Sequence, residues 1–219
     1  MTDTTIAFLD LTRFTALADV HGDDLALDVL DAFIAAVDAA VQGRGRIVKT
    51  MGDGALLQLN GPDDAVLVAD QVSRNLHGTA GMPELTAGVA TGPVVGRAGD
   101  VFGTTVNLAS RLAGLAAPGE LLATHAAARA AADAGWQVEP LGLTAIRGLH
   151  DPVCVHRLVL CPAQACVTDP VCGMRIVPGA ATPSDAIDGR RLWFCSPTCL
   201  ERLRSAPERY RGEDVITRG

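Results

Sequence analysis

The sequence predicts an α+β fold in which helices pack on one mixed or antiparallel β-sheet, followed by a small cysteine-containing β/α module. Strand-like and helix-like patterns alternate in the order β-α-α-β-β-α-β-α-β up to residue 124, and a helix and a strand follow. Cysteines occur only in the last third of the 219 residues, at Cys154, Cys161, Cys166, Cys172, Cys195 and Cys199. This step in composition indicates two parts of different character.

The first half of this order contains five predicted segments. Their bounds are a strand over 5–11, a helix from 13, a helix over 23–41, a hairpin over 46–59 and a helix over 62–76. Asp10 stands at the end of the first strand, where Thr12 can cap the helix that follows. Apolar residues at helical spacing define the second helix, and Pro62 suits the first turn of the third.

The second half continues with shorter segments. Their bounds are a strand over 85–95, a helix that begins near 103, a strand over 119–124, a helix over 126–134 and a last strand over 153–160. Asn107 and Arg111 are four residues apart, so they share one face of the helix. Taken alone, such a pair is more often solvated than functional.

Composition limits the partners of the chain. The formal charge is −7, from 25 acidic and 18 basic residues, and there is no run of Lys and Arg. We therefore expect no nucleic-acid partner and no membrane partner. The chain has no basic segment followed by an apolar run at its start and no apolar stretch of spanning length, so we expect a cytoplasmic protein with reduced thiols.

Two carboxylates stand at predicted strand ends. Asp53 lies in a hairpin turn between Gly52 and Gly54, and Asp10 ends the first strand. In neighbouring strands these groups repel each other, and such pairs are commonly kept because a divalent cation bridges them. Mg²⁺ takes one or two carboxylates and substrate phosphate, as in phosphoryl transfer. Taken singly, Asp10 also fits a helix cap and Asp53 a solvated turn.

A second group combines the ammonium, carboxylate, amide and guanidinium that a nucleotide requires, at Lys49, Asp100, Asn107 and Arg111. Adenine offers an acceptor at N1 and a donor at its 6-amino group. Lys49 only donates and ionised Asp100 only accepts, so this pair matches adenine. Guanine reverses both polarities, which favours ATP over GTP.

Four ordered motifs resemble the class III nucleotidyl cyclase catalytic domain: FLDLTRFT (8–15), VKTMGD (48–53), GVATGPVV (88–95) and DVFGTTVNLASR (100–111). The resemblance covers about residues 5–160 and ends with IRGLHDPV (146–153). It implies a ferredoxin-like palm that works as a head-to-tail homodimer with two interfacial sites.

The resemblance also implies a mechanism. Asp10 and Asp53 of one subunit hold two Mg²⁺ or Mn²⁺ ions per active site. The ribose 3′-hydroxyl of ATP then attacks the α-phosphorus, which gives 3′,5′-cyclic AMP and pyrophosphate. The other subunit supplies the remaining groups. Lys49 and Asp100 select the purine, and Asn107 orients the ribose. Arg111 stabilises the transition state, and Arg147 contacts the triphosphate.

The segment between Pro93 and Asp100 is shorter than the arm that many family members carry. It resembles that of a bacterial branch in which the purine-pair positions vary. Guanylate cyclase is therefore the alternative within the enzyme class. Outside it, the alternative is a non-catalytic nucleotide-binding dimerisation scaffold coupled to a metal sensor.

The last third contains DPVCGM (169–174), LWFCSPTCLER (192–202) and APERY (206–210), which resemble a YHS domain, related to TRASH-type heavy-metal modules. Cys195 and Cys199 lie one helical turn apart and face the same way. Together with Cys172 they suit Cu⁺ in a trigonal site, or Zn²⁺ with a fourth ligand. Cys166 and Met174 are the candidates for that ligand.

The predicted organisation is a cyclase domain over 1–160, a linker over 161–167, a metal-binding module over 168–213 and a tail over 214–219. The very short linker favours a module that regulates the enzyme. A small module with buried, inert cysteines is the alternative. Cys154 and Cys161 are interpreted as packing residues of the preceding strand.

Overall fold

The computed structural model describes residues 3–79, 81–160, 166–187 and 189–210. Cys161, most of the predicted linker and the predicted tail lie outside these residues. In chain order, the elements of the first 160 residues are β1 (Asp3–Leu11), α1 (Phe14–His21), α2 (Asp23–Val41), β2 (Gly45–Met51), β3 (Gly54–Leu59), α3 (Pro62–His77), β4 (Leu85–Pro93), β5 (Val95–Arg97), β6 (Asp100–Phe102), α4 (Thr104–Leu115), β7 (Glu120–Thr124), α5 (His125–Asp133), β8 (Glu139–Thr144) and β9 (Val153–Val159).

Seven of these strands form one sheet in the order β2-β3-β1-β4-β7-β9-β8. Neighbouring strands are antiparallel except β4 and β7, which are parallel. The strands β5 and β6 form a separate hairpin. The predicted α+β fold, with helices on one mixed sheet, is therefore confirmed.

The side chains of β1 show how the layers are divided. Ala7, Leu9 and Leu11 enter the large core formed with α2, α3 and α5, whereas Ile6 and Phe8 enter a smaller cluster with α4. Because side chains alternate along a strand, Asp10 belongs to the α4 face. The first candidate carboxylate thus lies on the more thinly covered side of the sheet.

A close approach fixes α4 on this side. A Cβ at Gly88 of β4 would lie 2.1 Å from the Ala109 carbonyl oxygen and 2.2 Å from the Ala113 nitrogen. Only glycine permits this contact between helix and strand. The position of α4 determines where Asn107 and Arg111 project.

Three details differ from the sequence-based expectations. Thr12 does not cap α1: Arg13 occupies the N-cap position in the left-handed conformation, with φ 56°, and no side chain caps the helix. The strand β8 was not predicted, because this exposed edge strand contains Pro140 and a bulge at Gly142 and so lacks regular alternation. Cys154 is exposed, since it pairs with exposed Leu143 of β8, and its interpretation as a packing residue is wrong.

The C-terminal module is built from short elements. They are β10 (Val167–Thr168), β11 (Arg175–Ile176), β12 (Ser184–Ile187), β13 (Arg190–Trp193), α6 (Pro197–Ser205) and a 3₁₀ turn (Pro207–Tyr210). The strands pair as two antiparallel ribbons, β10 with β11 and β12 with β13. Such small ribbons need support from a neighbouring core.

The module obtains this support by packing on the first 160 residues. The Arg175 guanidinium lies 2.9 Å from a Glu84 carboxylate oxygen, and both side chains are largely buried. The Arg175 backbone N–H donates to the Met82 carbonyl oxygen at 3.1 Å. On α6, Arg202 forms an ion pair with Asp19 of α1. The module therefore contacts α1 and the segment that leads into β4.

Candidate active site and cysteine cluster

Asp10 and Asp53 lie where the end of β1 meets the β2–β3 turn. Asp10 stands opposite Gly54 in the pairing of β1 with β3. The Leu11 N–H donates to the Asp53 carbonyl oxygen at 3.1 Å, which ties the turn to β1. A Cβ at Gly54 would lie 2.9 Å from Oδ1 of Asp10. The glycine therefore leaves room for the Asp10 carboxylate beside the turn.

The two carboxylates interact electrostatically. Desolvation, and next the charge of Asp53, raise the pKa of Asp10 from 3.8 to about 6, although the residue remains exposed at the surface. Two oxygen donors that disfavour each other's charge are suited to a hard divalent cation such as Mg²⁺ or Mn²⁺. The donor set thus fits the predicted type of metal.

Lys49 and Asp100 meet across the gap between β2 and the β5–β6 hairpin. Lys49 Nζ lies 2.6 Å from Oδ2 of Asp100, and Oδ1 accepts the Val101 N–H at 2.8 Å. The hydrogen bond from Lys49 is the main reason that the pKa of Asp100 lies below its usual value. Arg46 of β2 also donates to the Gly99 carbonyl oxygen at 3.0 Å, which fixes the hairpin in place.

Asn107 and Arg111 are exposed on the same face of α4, as their spacing predicts. Arg147 lies in an exposed turn between β8 and β9. Ile146 of this turn is buried in a cluster with Leu112 of α4, which places the turn beside that helix. Among the described residues, no hydrogen bond or ion pair joins the aspartate pair to Lys49, Asp100, Asn107 or Arg111 in one protomer.

A second site is formed by three thiols and an imidazole. Cys195 Sγ lies 3.5 Å from Cys172 Sγ, 3.6 Å from Cys199 Sγ and 3.5 Å from His21 Nε2. All four potential ligand atoms lie within 4.8 Å of one another. Hydrogen bonds with the other two thiols, that of Cys172 first, lower the pKa of Cys195.

The structure brings a residue to the thiols that was not among the predicted ligands. Cys166 lies apart from it and accepts a hydrogen bond from Arg175 Nη2 at 2.8 Å. The Met174 sulfur points toward Gly81, where a Cβ would lie 3.9 Å from it. His21, the last residue of α1, stands beside the thiols instead. Motif spacing gave no indication of this, because 174 positions separate His21 from Cys195.

Asp169 is a further residue that sequence reasoning missed. Its fully buried carboxylate accepts the N–H of Val171 at 2.7 Å and that of Cys172 at 3.4 Å through Oδ1, and the N–H of Cys195 at 2.7 Å through Oδ2. Burial raises the pKa of Asp169. One carboxylate therefore fixes the two loops that carry Cys172 and Cys195.

Several solved nucleotidyl cyclases share the fold of this chain. A Trypanosoma brucei adenylate cyclase, analysed in its monomeric state, matches with a TM-score of 0.66 at 24% identity, over 74% of this chain and 89% of that one. The sequence model of the adenylate and guanylate cyclase catalytic domain matches residues 1–159. The chain belongs to this family.

Curated relatives match parts of the chain. A Streptomyces coelicolor adenylate cyclase is 38% identical over 112 residues, 51% of this chain and 29% of that protein. A 48-residue stretch, 22% of this chain, is 46% identical to 6% of a copper-transporting P-type ATPase of Rhizobium leguminosarum bv. viciae. The chain spans less than half the length of these relatives. Within the described residues, none of the helices has the length and hydropathy to cross a bilayer.

Proposed function

We propose that the chain is an adenylate cyclase that converts ATP into 3′,5′-cyclic AMP and pyrophosphate at a homodimer interface. The observation that carries this proposal is the contact of 2.6 Å between Lys49 and Asp100. It holds a donor and an acceptor side by side, as N1 and the 6-amino group of adenine require. The relatives named adenylate cyclases support the same assignment.

Asp10 and Asp53 would hold the catalytic Mg²⁺ or Mn²⁺. These ions, when bound, lower the pKa of the ribose 3′-hydroxyl and offset the charge of the phosphates. Because the pKa of Asp10 is about 6 without metal, its carboxylate is mostly ionised and able to bind a cation at neutral pH. Gly54 keeps that carboxylate beside the turn that carries Asp53.

The exposed face of α4 supplies the next group. Asn107 would orient the ribose, and Arg111 would meet the charge that develops on the phosphates in the transition state. Arg147, in the turn beside α4, would contact the triphosphate. Arg111 can act only on a nucleotide that is also bound at the two aspartates. We propose that these aspartates belong to one subunit and Arg111 to the other.

The surface around the β5–β6 hairpin supports such an assembly. Val95 is 58% and Phe102 49% exposed, and Lys49 lies 6.0 Å from the centre of the Phe102 ring. Large apolar side chains that are exposed together often mark an interface. Burial of this surface against a second copy would bring a partner's aspartates toward Lys49 and Asp100.

The C-terminal module would bind a soft metal ion and modulate the cyclase. The three neighbouring sulfurs support metal binding, and the contacts of the module with α1 support a regulatory role. If added Zn²⁺ or Cu⁺ and subsequent chelation leave the rate and the dimerisation of the full chain unchanged, regulation by metal is excluded.

The proposal is tested by measuring cyclic-nucleotide formation from ATP and from GTP over a range of protein concentrations, with Mg²⁺ and with Mn²⁺. We expect cyclic AMP as the main product and a specific activity that rises with protein concentration as dimers form. Turnover of GTP at least equal to that of ATP would favour a guanylate cyclase. Nucleotide binding without any product would identify a non-catalytic scaffold.

A further inference from the structure

We propose that the C-terminal module shares its metal site with the cyclase domain. His21 of α1 would complete a tetrahedral Zn²⁺ site with Cys172, Cys195 and Cys199. This inference rests on the proposed metal-binding role of the module and extends the site to a residue of the other domain. A metal ion bound there would join the two parts of the chain directly.

The distances in the cluster fit such a site. Zn–S bonds of about 2.3 Å and Zn–N bonds of about 2.0–2.1 Å place neighbouring ligand atoms of a tetrahedron roughly 3.5–3.8 Å apart. Cys195 Sγ lies 3.5–3.6 Å from Cys172 Sγ, Cys199 Sγ and His21 Nε2. The three separations that involve Cys195 thus match those of a tetrahedral site, and every other pair of ligand atoms lies within 4.8 Å.

The identity of the donors separates two metals. Three thiolates and one imidazole form a closed set of the kind that structural zinc sites use. Cu⁺ is satisfied by three thiolates in a trigonal arrangement, so it has no need of His21. Dependence on His21 is therefore the property that distinguishes a Zn²⁺ site shared between domains from a Cu⁺ site confined to the module.

The surroundings hold all four donors in place. The buried Asp169 carboxylate accepts the backbone N–H groups of Cys172 and Cys195, and the Ser196 hydroxyl accepts the N–H of Cys199 at 3.3 Å. Supporting hydrogen bonds of this type are what orient metal ligands. On the other side, α1 ends at His21 because Gly22 adopts a positive φ of 88°.

The module contacts both ends of α1. At the far end, Arg202 of α6 pairs with Asp19, next to His21. At the near end, a Cβ at Gly173 would lie 2.8 Å from Arg13 Cβ and 3.0 Å from the Thr12 carbonyl oxygen, so the loop of Cys172 packs on the segment just after Asp10. Metal bound to His21 would therefore fix the helix that follows a catalytic aspartate.

The test compares metal affinities of the reduced full chain and of three variants, His21→Ala, Cys166→Ser and His150→Ala. The last is a matched control, because it removes a fully exposed imidazole from the β8–β9 turn. Zn²⁺ is titrated against a chromogenic chelator, Cu⁺ against a Cu⁺-specific one, and Co²⁺ serves as a spectroscopic substitute. Thermal unfolding of each metal-free variant checks that the fold is intact.

We expect the parent chain to bind one Zn²⁺ ion. Its Zn²⁺ affinity should fall at least about tenfold in His21→Ala, because loss of a residue that merely supports a metal ligand commonly lowers affinity by that much. Cu⁺ affinity should be unchanged in that variant, and Zn²⁺ affinity unchanged in the other two. The tetrahedral ligand-field bands of Co²⁺ should shift only in His21→Ala.

Two results would overturn the inference while leaving a metal-binding module in place: a Zn²⁺ affinity unaffected by His21→Ala, or binding of Cu⁺ alone. A Zn²⁺ affinity reduced only in Cys166→Ser would likewise assign the fourth ligand to the module. Failure of the parent chain to bind either metal would refute the metal-binding role itself. None of these measurements uses cyclase activity, so their outcomes are independent of the proposed catalytic function.

Discussion

Lys49 Nζ and Asp100 Oδ2 lie 2.6 Å apart, although 51 positions separate the two residues in the sequence. The contact joins β2 to β6. A bulge in β2 between Ile47 and Lys49 interrupts the regular pairing with β3 just before the lysine. Bulges redirect side chains at functional sites, and this one precedes the side chain that reaches Asp100. The donor and the acceptor are thus positioned before any base arrives.

The first prediction concerns base choice. In the double variant Lys49→Glu/Asp100→Lys the ion pair is kept but its polarity is reversed, so the acceptor faces N1 and the donor faces O6 of guanine. The ratio of kcat/KM for ATP to that for GTP should fall at least about tenfold, since unpaired polar groups discriminate strongly between substrates. Each single variant, which leaves two like charges together, should lose activity with both nucleotides. An unchanged ratio in the double variant would contradict the assigned role.

The second prediction concerns the room beside Asp10. Gly54→Ala places a Cβ 2.9 Å from the Asp10 carboxylate oxygen. Because that oxygen ends a short mobile side chain, the carboxylate should move away, and the Mg²⁺ concentration for half-maximal activity should rise. Changes that disturb the orientation of a metal ligand commonly lower metal affinity or activity by roughly 10–100-fold. The measurement is cyclic AMP formation against Mg²⁺ concentration.

Gly78→Ala is the matched control, since Gly78 follows α3 with a negative φ of −71° and a Cβ there would make only ordinary contacts of 3.5 Å or more. It should leave the Mg²⁺ dependence unchanged. The thermal stability of Gly54→Ala should stay close to that of the parent chain. A large loss of stability with an unaltered Mg²⁺ dependence would show that the glycine serves the hairpin and not the carboxylate.

The sequence predicts those parts of the site that depend on local pattern. The helix over 23–41 was placed at its observed bounds, because its apolar spacing is regular and glycines follow it. The strand β8 was missed because it is exposed and contains Pro140, so it carries no alternating signal. This strand forms because it pairs with β9, and the local sequence pattern gives no indication of that pairing.

The cysteine cluster shows the same limit more sharply. The sequence predicts Cys195 and Cys199 on one helix, and that detail is wrong, because α6 begins at Pro197 with Ser196 as its N-cap, so Cys195 precedes the helix. The two sulfurs nevertheless lie 3.6 Å apart. His21 comes from α1, far away in the sequence, and that helix ends at His21, where Gly22 follows with a positive φ of 88°. Partners that tertiary docking selects leave no periodic trace in the sequence. His21 and Asp169 were therefore found only in three dimensions.

The third prediction concerns the pH dependence of metal binding at Asp10. In the metal-free chain the folded-state pKa of about 6 exceeds the ordinary value of 3.8. The folded state thus holds this proton more tightly, and the contribution of Asp10 to the free energy of unfolding is lost as the pH rises through about 6. Mg²⁺ takes the place of the proton, so it should raise Tm more at pH 7.5 than at pH 5.

An Mg²⁺ concentration about tenfold above Kd stabilises by roughly 1.4 kcal/mol, or about 3–6 °C in Tm for a chain of this size. The comparison is thermal unfolding with and without Mg²⁺ at both pH values. Asp10→Asn, which has no carboxyl group to titrate at this position, should show no such difference. Equal effects of Mg²⁺ on the parent chain at the two pH values would contradict the raised pKa of Asp10.

The fourth prediction concerns Arg111 and the sharing of one active site by two subunits. Arg111→Ala should lower kcat by about 10²–10³ with little change in KM, because the guanidinium meets charge that develops only in the transition state. Asp53→Asn should inactivate the same reaction through the metal. If the aspartates of one subunit work with Arg111 of the other, a heterodimer of the two variants contains one intact site and one doubly impaired site.

Mixing equal amounts of the two inactive variants should therefore restore activity. Random exchange makes about half of the dimers mixed, and each carries one intact site of two, which gives about a quarter of the parent activity. The measurement is cyclic AMP formation at a fixed total protein concentration, with each variant alone as the control. Asp10→Asn mixed with Asp53→Asn should restore nothing, because both changes fall on the same half of the site. No recovery in the first mixture would mean that each protomer uses its own Arg111. Recovery in the second would mean that Asp10 and Asp53 of one site come from different subunits.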